Sequence, residues 1–276
     1  MIGVGTTIFL VRPQTFASGV SYLLDTYSTD TAYSLRALSS STTNVVRVRR
    51  SSDNSESDFT ADEITDGTLT TWTGANDGFV TKWYNQGTAG STYDGVQTTA
   101  ANQPKLVSSG VVLTAPNGQP AMQGDGTNDE FSLANTYTLT ATDMTVATVY
   151  SRASTGINST PIGQTSTNAF YVAAWLTNDN IQHSESTARV VATSDTATGD
   201  FIFFAWDDGT NINYYRNGSS LYSAAYTNVG TTWTGLLCLS SLHHNGYIQE
   251  VIRWGSDVSA NRTDIESDIN THYSIY

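Results

Sequence analysis

One short alternating run constrains this chain more than any other stretch. In Val45-Val46-Arg47-Val48-Arg49-Arg50, Val46 and Val48 alternate with Arg47 and Arg49, the period-two pattern of a strand with one dry face and one wet face. Ser51-Ser52-Asp53-Asn54 follows as a polar turn. Four of the twelve basic residues, Arg36, Arg47, Arg49 and Arg50, lie in or just before this run, and Asp53, Glu56, Asp58, Asp62 and Glu63 come next. The pattern predicts local ion pairing that fixes strand register. The alternative is a site for an anionic ligand.

The same period recurs downstream. Gly78 to Tyr84 alternates, and Met144–Tyr150, Phe170–Trp175 and Tyr247–Trp254 read as further strands. Phe201-Ile202-Phe203-Phe204-Ala205-Trp206 is apolar on both sides, which predicts a central strand. Asn217-Gly218 between Asn211–Arg216 and Ser219–Tyr226 predicts a hairpin with a type I′ turn. Two segments read as helical. Leu24 to Ser40 carries Leu35 and Leu38 three apart, and Ser259 to Tyr276 carries Ile265, Ile269 and Tyr273 at i, i+4 and i+8, with Thr263 and Glu266 spaced as a capping box. Many short strands with few helices predict an all-β fold, a two-sheet antiparallel β-sandwich with a short early helix and a C-terminal helix. Residues 25–276 read as one domain. Residues 1–24, broken by Gly3, Gly5, Pro13 and Gly19, read as an N-terminal arm; a plain first strand is the alternative.

Bulk properties exclude several functions. Twelve Lys and Arg stand against twenty-five Asp and Glu, a formal net charge of −13, and phosphate binding needs a concentrated positive face. Nucleic acid is therefore not expected as a partner. No run approaches the ~20 apolar residues of a membrane span, and the start lacks a basic n-region and a long apolar core, so no signal peptide is expected. The single cysteine, Cys238, excludes a disulfide framework within the chain and reads as a small buried hydrophobe. His243-His244, with His183 and His272 distant, gives no zinc spacing. There is no Gly-x-Ser-x-Gly and no phosphate loop. Aromatics make up 11% of the chain, which suits strands and equally suits a surface that stacks on sugars.

Three blocks carry a family resemblance: Tyr33-Ser34-Leu35-Arg36-x-Leu38, Val48-Arg49-Arg50-Ser51-Ser52-Asp53-Asn54 and Trp83-Tyr84-x-Gln86. Together they resemble the N-terminal part of the catalytic domain of the alpha-L-arabinofuranosidase B family. They resemble still more closely phage and bacterial proteins with concanavalin A-like, laminin-G-like domains. Asp125-Gly126-Thr127-Asn128-Asp129 before Phe131 is similar to a segment of laminin-G-like domains. The resemblance implies a concanavalin A-like jelly roll. Two departures count against the arabinofuranosidase reading: that family has several disulfides, and its Tyr-Asp-Gln-Ser-Gly segment stands here as Tyr84-Asn85-Gln86-Gly87.

A glycosidase needs two carboxyl groups flanking the scissile bond. Glu250, on one strand face with Ile248, Ile252 and Trp254, is the first candidate for catalysis or glycan binding; pairing with an arginine is the structural alternative. Trp254, Trp83 and Tyr84 are candidate sugar platforms. Asp125 and Asp129 are candidates for a second carboxylate or for Ca²⁺, although the spacing is not that of the twelve-residue calcium loop. Asp207 and Asp208 read as a solvated turn. The expectation drawn from all this is a non-enzymatic phage structural protein, a fibre or decoration subunit located in the virion. It would be homo-oligomeric, tied to other virion proteins through residues 1–24, and equipped with a lectin-like domain for host surface glycan. The alternative is a glycoside hydrolase related to alpha-L-arabinofuranosidase.

Overall fold

The computed structural model describes residues 21–139, 144–164, 170–175, 179–185, 188–226, 230–239 and 242–276. Nineteen of its strands join into one antiparallel ladder that folds over into two layers. The back layer runs, in spatial order, Thr31–Ser34, Asn245–Trp254, Met144–Arg152, Gly199–Asp207, Asn211–Arg216 and Ser219–Ala225. The front layer begins with Glu56–Thr60, Asn44–Arg50, Gly78–Trp83, Gly95–Val96 and Phe131–Leu139. It continues through Thr231–Leu236, Ile162–Gly163, Phe170–Trp175, Asn180–Glu185 and Ala188–Ser194. Lys105–Ser108 and Met122–Asp125 carry the ladder from one layer to the other.

The expected β-sandwich is therefore present. Its main core lies between the layers and includes Val46, Val48, Trp83, Phe131, Tyr150, Phe203, Trp233 and Ile248. A second core covers the outer face of the back layer, where Ala147, Val149, Ile202, Phe204 and Ile252 meet Leu38, Ile265, Ile269 and Tyr273. Because both faces of the back layer are covered, its central strands are buried on both sides, and Phe201–Trp206 is apolar on both, as its sequence predicts. Asn217 and Gly218 have φ of +51° and +75°, the two left-handed residues of a type I′ hairpin turn.

The C-terminal helix runs Arg262–Tyr273 after a 3₁₀ turn at Ser259–Asn261, and buries Ile265, Ile269 and Tyr273. The expected capping box at Thr263 and Glu266 does not form, since the cap is Asn261 and Glu266 pairs back with Arg262. A capping box is found instead at Thr60 and Glu63. The early helix is one turn, Leu23–Thr26, not Leu24 to Ser40, and a strand follows at Thr31–Ser34. Leu35 and Leu38 share no helix face: Leu35 enters the core between the layers and Leu38 the core beneath the terminal helix. The chain here threads between two cores, which a helix could not do. Of the expected arm, residues 1–20 lie outside the described residues, whereas Leu23 and Leu24 are buried against the domain.

Candidate active site

The block Trp83-Tyr84-Asn85-Gln86 ends a strand and anchors a loop. Trp83 is fully buried, packed at 5.6 Å from Tyr33 and 6.1 Å from Phe131. Asn85 Oδ1 accepts the N–H groups of Ala32 and Gly87, and its amide donates to the carbonyls of Asp30 and Gly90. Gln86 Oε1 accepts from Leu38 N–H and the Thr42 hydroxyl, while Nε2 donates to the carbonyls of Ser34 and Arg36. Each amide thus spends both ends on the winding segment 30–42, satisfying backbone groups that no sheet partner serves. Trp254 is also buried, with Nε1 donating to the Tyr27 carbonyl. The expectation that Trp83 and Trp254 stack on sugar is corrected, because neither ring presents a face. Tyr84 is half-buried on the outer side of the front layer; its hydroxyl donates to Asp58 at 2.7 Å and Lys82 lies 5.1 Å from its ring.

Glu250 is fully buried and saturated. Arg36 donates to it twice, from Nε at 2.8 Å and Nη2 at 3.2 Å, and the hydroxyls of Ser34 and Tyr273 donate at 2.8 and 3.2 Å. Arg36 Nη1 reaches Asp268 at 2.8 Å. Burial alone would pull the Arg36 guanidinium down, but the charge and hydrogen bonds of Glu250 outweigh it and push the group far above its ordinary range. The side chain of Glu250 has no exposed surface and both its oxygens are engaged, so its candidacy as catalytic or glycan-binding residue is corrected: it ties the terminal helix to the first back-layer strand. Two of the front-layer arginines are likewise paired, while Arg49 bonds to the amides of Gln103 and Asn54. Arg47 forks onto Asp58 at 2.6 and 2.9 Å, and Arg50 onto Asp53.

Asp125 and Asp129 lie elsewhere, on the turn that leads into Phe131–Leu139. Asp125 Oδ1 accepts N–H groups from Thr127 at 2.7 Å and Asn128 at 3.2 Å, the self-bonded turn that short polar side chains favour. Asp129 Oδ2 accepts the Asp125 N–H at 3.0 Å. Asp125 is exposed, whereas Asp129 is only 6% exposed. Burial, and then the Asp125 charge, push the Asp129 carboxyl up to about 6 against the weaker opposing pull of that N–H, His243 and Lys105. Next to it Glu130 faces His243 at 3.5 Å, and beneath them burial and Glu130 push the Cys238 thiol up, as befits an inert core thiol. Among the described residues no group of three or more His, Cys, Asp and Glu is placed to hold a metal ion. What the turn offers is a buried carboxyl that holds its proton more tightly than usual, four residues from an exposed one. Sequence spacing names both residues but cannot show which one is buried.

No protein-family model matches the chain, and no curated protein matches it. Its fold is similar to that of solved arabinofuranosidases. One, in complex with arabinofuranosyl-alpha-1,2-xylobiose, matches with a TM-score of 0.61 and 14% identity over 88% of this chain and 62% of that one. A GH54 α-L-arabinofuranosidase soaked with a cyclic sulfate inhibitor matches with a TM-score of 0.61 and 13% identity over the same shares. A variant soaked with 4-nitrophenyl α-L-arabinofuranoside matches with a TM-score of 0.60. The chain thus spans about 62% of the length of these enzymes. The expectation of a phage virion subunit is corrected on these matches, which are to sugar hydrolases rather than to particle proteins.

Proposed function

We propose that this chain is a glycoside hydrolase acting on arabinofuranosyl or related polysaccharide. The observation that carries the reading is the correspondence of fold with arabinofuranosidases along 88% of the chain. The chemistry available is consistent with it. Asp129, protonated up to about pH 6, serves as the general acid that gives its proton to the glycosidic oxygen as the bond to the sugar breaks. Asp125, whose Oδ2 makes no hydrogen bond among the described residues, is the second carboxyl, which takes the proton of the water that adds to the anomeric carbon as the leaving group departs.

The test is release of 4-nitrophenol from 4-nitrophenyl α-L-arabinofuranoside, and of arabinose from arabinoxylan. Asp129→Asn is expected to lower kcat by about 10²–10⁴, and wild-type activity should fall as pH rises through about 6, where the acid loses its proton. No hydrolysis of either substrate by wild type overturns the reading, and full activity in Asp129→Asn overturns the assignment of Asp129 as its acid.

A further inference from the structure

We propose that a second cleft, lined mainly by polar side chains, at the far end of the Gly78–Trp83 strand binds one neutral sugar unit of a polysaccharide. The inference rests on the reading of the chain as a saccharide-acting protein. The cleft holds about 300 Å³, the lower end of small-molecule sites. It opens between the 41–44 segment and the loop 84–94, and Thr43, Asn44, Tyr84, Ser91 and Asp94 supply its working surface.

Three properties fit a sugar and disfavour other ligands. First, the side chains of Thr43, Asn44 and Ser91 make no hydrogen bonds among the described residues, so hydroxyl and amide groups are available where a polyol needs donors and acceptors. Second, the walls are fixed in advance. Asn85 and Gln86 are held by the bonds described above. Gln86 Oε1 accepts the Thr42 hydroxyl at 3.0 Å and so joins the loop to the 41–44 segment, and a Cβ added at Gly87 would meet the Asp30 backbone at 2.4 Å, which pins the loop on its other side. A preformed site loses little entropy on binding. Third, the charge is balanced. Asp94, almost fully buried, accepts the Asn85 N–H at 3.0 Å and faces Lys82 at 3.4 Å. Neither an anion nor a cation gains there, whereas a sugar hydroxyl can donate to the carboxylate.

The location suggests its use. Asn128 and Glu130, which flank Asp129, bond to Asn102, and the adjacent Gln103 accepts from Arg49, the strand partner of Phe79, so the carboxylate pair sits towards the start of Gly78–Trp83 and the cleft at its end. Six residues of strand separate them by roughly 20 Å. A polymer lying along this strand reaches both, and binding energy collected in the cleft positions the reacting unit.

The experiment is electrophoresis of the full chain through gels containing arabinoxylan, for wild type, Thr43→Ala/Ser91→Ala and Asp129→Asn, with the melting temperature of each as a folding control. Wild type and Asp129→Asn should be retarded alike, and the double variant should bind about tenfold more weakly, the loss expected for two hydrogen bonds. Both substituted side chains are exposed and unbonded, so folding is expected to survive. Equal retardation of wild type and double variant, or no retardation of wild type, overturns the proposal. The two readings fail separately: unchanged hydrolysis by Asp129→Asn removes the acid assignment and leaves the cleft standing.

Discussion

Glu250 and Asp129 are both nearly enclosed carboxyl groups, at 0% and 6% exposure, and their surroundings differ in one respect. Glu250 has a buried guanidinium, Arg36, forked onto it and two hydroxyls donating to it. Asp129 has a single backbone N–H, and the charge that acts on it most strongly is a second carboxylate. Burial alone therefore does not make a reactive acid. A buried carboxyl with a fixed cation becomes a strut, and one without it holds its proton. The largest expected effect tests the strut. Glu250→Ala leaves Arg36, whose side chain is 13% exposed, with Asp268 as its remaining charged partner among the described residues, and should cost about 3–5 kcal/mol in urea unfolding. A loss below about 1 kcal/mol would mean that Arg36 escapes to solvent and that the network is dispensable.

The next two predictions set opposite pH slopes against each other. His244 is fully buried, bonded to Ser159 and the Tyr247 carbonyl, and burial pulls its imidazole down to about 4. Its unfolded value is near 6.5, so its contribution to stability is complete above pH 6.5 and is lost as pH falls towards 4. The loss is worth about 3 kcal/mol. Asp129 works in the other direction. Its folded value, about 6, lies above the ordinary 3.8, so its contribution is complete below 3.8 and is lost as pH rises through 6. That loss is worth about 2 kcal/mol, less than the full shift because solvent screens part of the field. His244→Gln should remove most of the stability lost on acidification between pH 6.5 and 4. Asp129→Asn should be more stable than wild type above pH 6 and equal to it near pH 4. Urea titrations across pH 4–8 read both, and a variant whose slope matches wild type refutes the assignment at that residue.

The same contrast explains what the sequence could disclose. The period of Val46 and Val48, the Asn217-Gly218 turn and the spacing of Ile265, Ile269 and Tyr273 are local signals, and each element is present where local physics places it. The 24–40 segment misleads because Leu35 and Leu38 have helical spacing by coincidence, while their destinations are set by two separate cores. Trp83, Asn85 and Gln86 stand out in sequence, yet their partners lie about fifty positions away in the 30–42 segment. Nothing local distinguishes a side chain that satisfies backbone from one that meets a ligand. Arg36 is 214 positions from Glu250, so the pairing that decides the role of Glu250 is invisible until the fold is closed. For Asp129 the motif was legible and the acidity was not, because the burial that raises it comes from tertiary packing.

The smallest effect concerns the paired arginines of the front layer. Arg47 and Asp58 form a two-pronged ion pair, but their side chains remain 39% and 30% exposed. Water screens most of the attraction at such a site, and holding two long side chains in place costs entropy. Arg47→Ala should therefore lower stability by only about 0.5 kcal/mol, and the difference should shrink further in 1 M salt, where the Debye length falls to about 3 Å. A loss as large as that of Glu250→Ala would show that the front-layer pair is shielded like the one beneath the terminal helix. It would then hold the strand register of Asn44–Arg50 against Glu56–Thr60 with an energy that its exposure does not predict.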